Sequence, residues 1–270
     1  MGTVMLEQLK KYTLPTLRYL EFHLTDHCNL NCKGCAHFSP VADDWYADID
    51  LFIKDLDRLG ELFRNIRVMR LMGGEPLLHD KVIDFIEAAR RRFPRSNIRL
   101  VTNGSLLDKM DQDFWRSCRR HNIDLDITVY PPVSRKLRTI YSLGLRNRVI
   151  ISVRRIAYFI AVMNFRGDSD PRRAFNTCRK LYYCPYLKDG KLYVCALAEL
   201  VKYMNDKFNL SIPTGHHLDI HRSGVTGHQI LNYLEKPIPT CRFCSEYYPV
   251  FKWARSRQRL QEWDVETYAD

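Results

Sequence analysis

The sequence predicts an α/β protein with a parallel sheet and helices outside it. Short apolar runs rich in β-branched residues alternate with longer amphipathic runs over the first 165 residues, and this repeat is typical of β-α units. Glycines directly follow candidate strands at Gly73, Gly74 and Gly104. Because ligand sites of parallel α/β folds lie at the carboxyl ends of strands, these glycines indicate one functional rim.

Strands and helices are expected in alternation along this part of the chain. The expected strands are 17–24, 68–72, 98–102, 123–129 and 149–153, with a sixth run at 157–165. The expected helices are 49–63, 80–93, 111–121 and 134–143, each with apolar residues at helical spacing. Connections of this kind join strands in parallel.

The β-α repeat stops near residue 168, which predicts two domains, 1–167 and 168–270. Residues 168–171, Asp-Ser-Asp-Pro, form a linker-like break. The stretch "CPYLKDGKLYVC", 184–195, predicts a hairpin whose turn is Asp189-Gly190. Helices are expected after it at 198–208 and 227–234.

Composition indicates a cytoplasmic protein. The N-terminus has no apolar signal segment, and the best apolar stretch, 149–165, is interrupted by Arg154 and Arg155. The net charge of +11 comes from 42 Lys and Arg against 31 Asp and Glu. This excess favours an anionic partner, such as a phosphorylated metabolite or a nucleic acid, although basic runs also form solvated surfaces. No membrane partner is expected.

Nine cysteines in a reducing compartment favour metal binding over disulfides. The stretch "CNLNCKGC", 28–35, places Cys28, Cys32 and Cys35 at the spacing C-x3-C-x2-C. Three thiolates can bind zinc, with His27 or His37 as the fourth ligand, or a four-iron cluster that keeps one iron open. The lone Cys118 lies in a helical pattern and is expected to be an ordinary packing or surface residue.

Three motifs on successive strand ends resemble the radical S-adenosylmethionine (SAM) enzymes: the cysteine loop, "GGEP" and "TNG". The resemblance implies a partial TIM-type radical SAM barrel of five to six β/α units. It also implies a [4Fe–4S] cluster on Cys28, Cys32 and Cys35, whose open iron is taken by SAM. The implied cofactor-binding residues are Gly73, Gly74, Glu75, Pro76, Thr102, Asn103, Gly104, Thr128 and Arg138.

Three positions bear on the expected SAM contacts: Thr128, Arg138 and Gly34. Thr128 and Arg138 are the nearest counterparts of a serine and an arginine that the family places at and after its fourth strand. The family commonly has an aromatic residue before the third cysteine, where this chain has Gly34. His37 or Phe38 is the expected replacement over the adenine.

The later cysteines resemble the twitch extension, the one-cluster form of the SPASM domains of some radical SAM enzymes. The spacing Cys178-x11-Gly190-x4-Cys195 is followed by Cys241-x2-Cys244. The resemblance implies a small C-terminal domain, a β-hairpin plus helix, in which these four cysteines hold a second [4Fe–4S] cluster. Cys184 is left over: it is a buried structural thiol, an alternative ligand to Cys178, or a catalytic hydrogen donor to a substrate radical.

A closed second cluster suits electron transfer and therefore oxidation. The chain is similar to the twitch-type dehydrogenases of aminocyclitol antibiotic biosynthesis and to radical SAM proteins of polysaccharide loci. We therefore expect abstraction of hydrogen from an anionic or sugar-like small molecule, oxidation of its alcohol carbon, and a reductant such as flavodoxin or ferredoxin. The alternatives are a sugar epimerase, a peptide-modifying enzyme and a zinc-bound nucleic-acid module.

Overall fold

Five parallel strands form the centre of the structure, a computed structural model that describes residues 14–269 apart from the side chain of residue 181. The strands pair in chain order, β1 with β2 through to β4 with β5. The predicted parallel sheet is therefore confirmed. Their bounds are β1 Thr16–Thr25, β2 Asn65–Gly73, β3 Asn97–Thr102, β4 Asp124–Val129 and β5 Ile151–Arg155.

Four helices connect these strands, as the amphipathic runs predict. They are α1 Ile49–Leu62, α2 Val82–Arg92, α3 Gln112–Arg120 and α4 Leu137–Asn147. Asp48 begins α1 because its carboxylate accepts hydrogen bonds from two backbone N–H groups of the first turn, and Asp111 accepts one at the start of α3. Each helix lies between two successive strands in the chain, as the connection of parallel strands requires.

Alternate residues of β1 face opposite sides of the sheet. Phe22 and Leu24 are buried in the main core, where the Phe22 ring centroid lies 5.0 Å from that of Phe52 on α1. Glu21 and His23 point to the other face and are also buried. Strand geometry therefore gives β1 an apolar side toward the helices and a polar side toward the interior of the barrel.

The hairpin at 184–195 forms with its predicted turn. Strands β7, Tyr186–Lys188, and β8, Lys191–Tyr193, are antiparallel, and positive φ values at Asp189 and Gly190 suit a two-residue turn. β7 also pairs in parallel with β1, and β9, Leu218–Asp219, pairs with β8. One sheet of order β5-β4-β3-β2-β1-β7-β8-β9 thus contains strands from both sides of residue 168; the domain boundary there stays a prediction.

The run at 157–165 does not add a sixth strand to the parallel sheet. Its strand β6, Tyr158–Ile160, pairs antiparallel with β10, Val250–Lys252, in a separate two-stranded sheet. In the large sheet β5 is the last strand on one side, and β7 pairs with β1 on the other; the backbone of β6 is instead paired by β10. The parallel β/α part of the barrel therefore has five strands.

The remaining helices surround the later cysteines. They are α5 Pro171–Leu181, α6 Leu197–Phe208 and α7 Gly227–Leu234. A second core, which includes Phe38, Tyr186 and Trp263, joins this region to the loop after β1. None of the described helices has the length and apolar character needed to cross a membrane.

Candidate active site

The first three cysteines line a cavity of about 310 Å³ at the carboxyl ends of the parallel strands. Their loop follows β1 and is held by backbone hydrogen bonds from a distant segment: Lys33 N–H donates to the Ala254 carbonyl at 2.9 Å, and Ser256 N–H donates to the Asn31 carbonyl at 2.8 Å. The C-terminal part of the chain therefore fixes the conformation of the cysteine loop.

The cysteine side chains are suited to bind a metal cluster. Burial raises the pKa of the Cys28 and Cys32 thiols to about 12, so both are neutral without a metal, and iron ligation would hold them as thiolates. The Trp253 indole N–H donates to Cys32 Sγ at 3.1 Å, and Asn103 Nδ2 lies 3.9 Å from Cys28 Sγ. Such donors stabilise charge on cluster thiolates.

Gly34 has a steric reason to replace the family's aromatic residue. Its φ is +64°, and a Cβ at this position would lie 2.4 Å from Cζ of Phe251. The expected replacements differ in placement: His37 lines the cavity, whereas Phe38 is fully buried in the second core and does not. Phe38 as an adenine contact is therefore wrong. Tyr130, after β4, supplies an aromatic side chain to the cavity instead.

The two glycines of "GGEP" bring the end of β2 against the cysteine loop. Gly74 N–H donates to the Thr25 carbonyl at 2.8 Å, and a Cβ on Gly74 would lie 1.9 Å from the His27 carbonyl oxygen. Both Gly73 and Gly74 line the cavity. Only residues without a side chain allow this close approach of two backbones.

Glu75 connects "GGEP" to "TNG" from behind the cavity wall. The carboxylate is fully buried and accepts hydrogen bonds from Thr102 Oγ1 at 2.6 Å and from Asn103 N–H at 2.8 Å. Burial raises its pKa to about 7. Glu75 and Pro76 are not among the described residues that line the cavity. Glu75 instead supports the cavity wall through its hydrogen bonds to Thr102 and Asn103.

The "TNG" motif contributes two lining residues and a turn. Thr102 and Asn103 line the cavity, and Asn103 Nδ2 donates to Asn29 Oδ1 in the cysteine loop at 2.9 Å. Gly104 has a φ of +77°, which lets the chain turn away after β3. The three motifs therefore meet at one rim.

An arginine in the cavity comes from β5 and not from α4. Thr128 lines the cavity, whereas Arg138 is exposed on α4 outside it. Arg154 lines the cavity and donates to Asp126 Oδ1 at 3.0 Å. Sequence reasoning misses Arg154 because the Arg154-Arg155 pair interrupts an apolar run; the signal that points to it is its place directly after the expected strand 149–153.

Polar residues in the barrel interior were also missed. Arg70 of β2 lines the cavity and donates to Asp126 Oδ2 at 2.8 Å. Its Nη1 lies 3.9 Å from Glu21 of β1. The available signal was the alternation "LEFHL" in β1, which places polar residues opposite an apolar face.

Five cysteines of the C-terminal part line one small second cavity, of about 30 Å³. They come from α5, from both flanks of the β7–β8 hairpin and from a 3-10 turn at Pro239–Phe243 with its following residue. Cys118, by contrast, is fully buried in the main core. The five are Cys178, Cys184, Cys195, Cys241 and Cys244.

A guanidinium group without a protein acceptor faces these thiols. Arg179 lines the second cavity, and its three side-chain nitrogens are buried with no hydrogen-bond partner within residues 14–269. The group stacks on Phe175 and Tyr183, with Cζ 4.9 and 4.3 Å from the ring centroids. A buried cation beside several thiols fits an anionic group such as a thiolate-ligated iron–sulfur cluster.

The two cavities share a wall. Tyr182, one residue beyond α5, lines both the first cavity and the second cavity. Its pKa is raised by burial and by the nearby Cys178 and Cys184 thiols. A single residue therefore lies at the border of both cavities.

The fold and the open three-cysteine loop are typical of radical SAM domains. Residues 22–150, a little under half of the chain, match the family described as the Radical SAM superfamily. This family implies a [4Fe–4S] cluster and SAM at the three-cysteine loop.

Relatives and solved structures agree with this assignment. A GTP 3',8-cyclase of Trichodesmium erythraeum is 37% identical over 122 residues, 41% of this chain and 35% of the relative. A GTP 3',8-cyclase of Nitrobacter hamburgensis is 34% identical over 122 residues, 41% of this chain and 34% of the relative. The matched segments thus span about a third of these relatives' length.

A crystal structure of BtrN in complex with AdoMet and 2-DOIA superposes with a TM-score of 0.51 and 13% identity. The superposition covers 86% of this chain and 98% of BtrN. At this identity the likeness shows the fold, a partial TIM-type barrel of the radical SAM kind.

Proposed function

We propose that the protein is a radical SAM dehydrogenase that oxidises an alcohol carbon of a carbohydrate-type small molecule. One observation supports this reading above all: five thiols, and a guanidinium with no acceptor in residues 14–269, line a second cavity that shares Tyr182 with the three-cysteine cavity. In this proposal a second [4Fe–4S] cluster is held by Cys178, Cys195, Cys241 and Cys244.

The chain's own residues would hold and orient the reacting groups. When bound, the open cluster and SAM supply a 5′-deoxyadenosyl radical for hydrogen abstraction, and the closed cluster supplies an acceptor for the second electron. Gly73, Gly74 and Asn103 line the side of the cavity beside the cysteine loop. The Tyr130 and Phe159 rings, 5.3 Å apart, form an apolar wall that limits access of water.

The interior of the barrel suits a polar substrate. Arg70 and Arg154 both line the cavity and both bind Asp126. Charged donors and acceptors in one cavity match hydroxyl, amino or phosphate groups better than an apolar ligand. The fold shared with BtrN, whose crystal structure contains AdoMet and 2-DOIA, supports the comparison at the level of architecture.

The position of Cys184 favours oxidation over epimerisation. Its thiol lines the second cavity with the four proposed ligands and is absent from the lining of the first. A hydrogen donor for an epimerase needs a thiol beside the substrate, and the described cysteines that line the first cavity are Cys28, Cys32 and Cys35. We therefore treat Cys184 as a neighbour or alternative ligand of the second cluster.

Iron content and SAM cleavage test the proposal together. Protein reconstituted anaerobically should hold about eight irons per chain and release 5′-deoxyadenosine with dithionite or reduced flavodoxin. Changing Cys28, Cys32 and Cys35 to Ala should abolish release. Changing the four proposed auxiliary ligands to Ala should halve the iron, whereas Cys118→Ala, in the main core, should leave it unchanged.

Two outcomes contradict the proposal. Release of 5′-deoxyadenosine by the triple variant would exclude radical SAM chemistry at this loop. Unchanged iron in the quadruple variant would exclude the auxiliary cluster, and zinc in place of iron at both sites would favour the nucleic-acid-binding alternative.

A further inference from the structure

Three side chains that can each offer a metal ligand meet beside the three-cysteine cavity. Glu21 and His23 lie two residues apart on β1, so strand geometry directs both into the barrel, and His37 comes from the cysteine loop. One ligand atom of each lies within 4.8 Å of the other two. Glu21 and His23 are buried, and His37 lines the cavity.

His23 is held with one nitrogen free. Its Nδ1 lies 3.0 Å from Asp26 Oδ1, and Asp26 accepts hydrogen bonds through Oδ2 from Lys188 Nζ at 2.8 Å and Tyr203 OH at 2.7 Å. Because Asp26 accepts the Nδ1 proton, the Nε2 lone pair is left available. Carboxylate–histidine pairs of this kind orient metal-binding imidazoles.

The free nitrogen lacks a protein partner. His23 Nε2 is buried and has no hydrogen-bond partner among the residues that the structure describes. Tyr186, whose ring centroid lies 4.5 Å from that of His23, likewise has a buried hydroxyl without a partner in residues 14–269. Unsatisfied buried polar atoms are rare in native proteins, and two on neighbouring side chains indicate a polar or ionic occupant.

The charge around Glu21 permits a cation. Tyr19 donates its hydroxyl proton to Glu21 Oε1, and the Arg70 guanidinium lies 3.9 Å from the same oxygen. Both interactions use Oε1 and leave Oε2 for another ligand. The positive charge of Arg70 is compensated by Asp126, at 2.8 Å from Nη2.

We propose that Glu21, His23 and His37 bind a divalent transition-metal ion in addition to the iron–sulfur clusters. Two imidazoles and one carboxylate form a ligand set that proteins use for zinc and for non-haem iron(II). Because His37 lines the cavity, open coordination positions face the space where the substrate would bind. This last point rests on the proposed function: the ion would bind oxygen atoms of a polyhydroxylated substrate, such as two adjacent hydroxyls.

Zinc binding by cluster-loaded protein tests the site without any turnover. Wild-type protein and the variants Glu21→Gln, His23→Phe and His79→Phe are dialysed against zinc chloride, and zinc and iron per chain are measured. His79 is a buried histidine that does not line the cavity, so it is the matched control. All four proteins keep the same cysteines, so zinc bound by free thiols adds equally to the zinc content of each.

We expect wild type and His79→Phe to hold one more zinc per chain than Glu21→Gln and His23→Phe. The zinc affinity of this site in wild type and His79→Phe should be at least about tenfold higher than in the other two variants. Equal zinc in all four proteins at equal iron content overturns the site. Asp26→Asn keeps all three ligands and gives a second measurement, an affinity about 10 to 100 times weaker than that of wild type. Unchanged zinc affinity in Asp26→Asn contradicts the role of Asp26. If the protein binds zinc as expected but does not cleave SAM, the proposed function fails and the metal site stands.

Discussion

The Trp253 indole donates its N–H to Cys32 Sγ at 3.1 Å across 221 residues of sequence. Trp263 makes a parallel contact, from its indole N–H to the Cys35 carbonyl at 2.9 Å. The loop that carries the open cluster in our proposal is thus completed by side chains from the C-terminal part. This relationship makes the properties of the first cysteines depend on residues that the motif does not contain.

Trp253→Phe should weaken the first cluster. The variant keeps an aromatic ring but removes the donor that stabilises negative charge on Cys32, so the reduction potential should fall. We expect about tenfold slower formation of 5′-deoxyadenosine, and an EPR-monitored redox titration should give a lower midpoint potential. Trp115→Phe, a change in the buried main core, should leave the potential as it is; equal potentials in the two variants would refute this role of Trp253.

Gly34→Ala should destabilise the protein more than Gly215→Ala. Both glycines have positive φ, +64° and +79°, so both variants lose about 1–2 kcal/mol to backbone strain. At Gly34 the added methyl group also overlaps the Phe251 ring, whereas nothing lies within 4 Å at Gly215. Urea unfolding should show a further loss of about 1–3 kcal/mol for Gly34→Ala. Equal losses in the two variants would mean that Phe251 moves away at little cost.

Glu75 should make stability depend on pH. Burial raises its pKa from 4.5 to about 7 in the folded protein, so between these values the folded state keeps a proton that the unfolded state has released. The contribution of Glu75 to stability therefore falls as pH rises, by about 1 kcal/mol per pH unit below pH 7, and levels off above it. Burial lowers the pKa of His37 to about 3, which gives an opposite slope, so the Glu75 slope is measured as the difference in unfolding free energy between wild type and Glu75→Gln from about pH 5 to 8. The exposed control Glu61→Gln should keep the wild-type profile, and a difference between wild type and Glu75→Gln that does not change with pH would contradict the raised pKa.

Arg179→Met should lower the potential of the auxiliary cluster. The guanidinium is buried beside the thiols and has no acceptor among the residues that the structure describes, so its charge favours the reduced, more negative state of the cluster. Its removal should lower the midpoint potential by on the order of 60 mV, as measured by EPR redox titration. The exposed Arg172 of the same helix is the control, and a potential that moves equally in both variants would exclude a local effect.

Cys184→Ala should leave hydrogen abstraction intact. The thiol lies with the second cavity, so an oxidation needs no hydrogen from it. With a candidate sugar-like substrate in deuterated water, neither wild type nor the variant should place deuterium at the reacting carbon. Deuterium in the wild-type product that disappears in Cys184→Ala, with 5′-deoxyadenosine still formed, would establish the epimerase alternative.

Much of the parallel sheet was predictable because its signals are local. Amphipathic spacing identified α1 to α4, and the Asp189-Gly190 pair identified the hairpin turn. The three motifs followed strand ends, and parallel strands bring such ends together by geometry alone. The cysteine loop, Gly73, Gly74 and Asn103 therefore meet as expected.

The remaining features depend on contacts between distant parts of the chain. Nothing in residues 186–188 signals that β7 will pair with β1, since the partner lies far away in sequence. Arg154 reaches the cavity because β5 pairs beside Asp126 of β4. In the sequence Glu21 and His23 cannot be told from exposed polar strand residues, because their burial depends on the distant segments that pack over them.

The contacts of Trp253 and Trp263 with the cysteine loop also set an order of events during biosynthesis. Residues 28–35 leave the ribosome long before the segment that holds them, so the nascent loop lacks its closing hydrogen bonds while most of the chain is being made. Insertion of the first cluster into a finished site must then follow translation of the tryptophan-bearing segment. The maturation machinery that delivers iron and sulfide would then meet a chain that already contains both tryptophans.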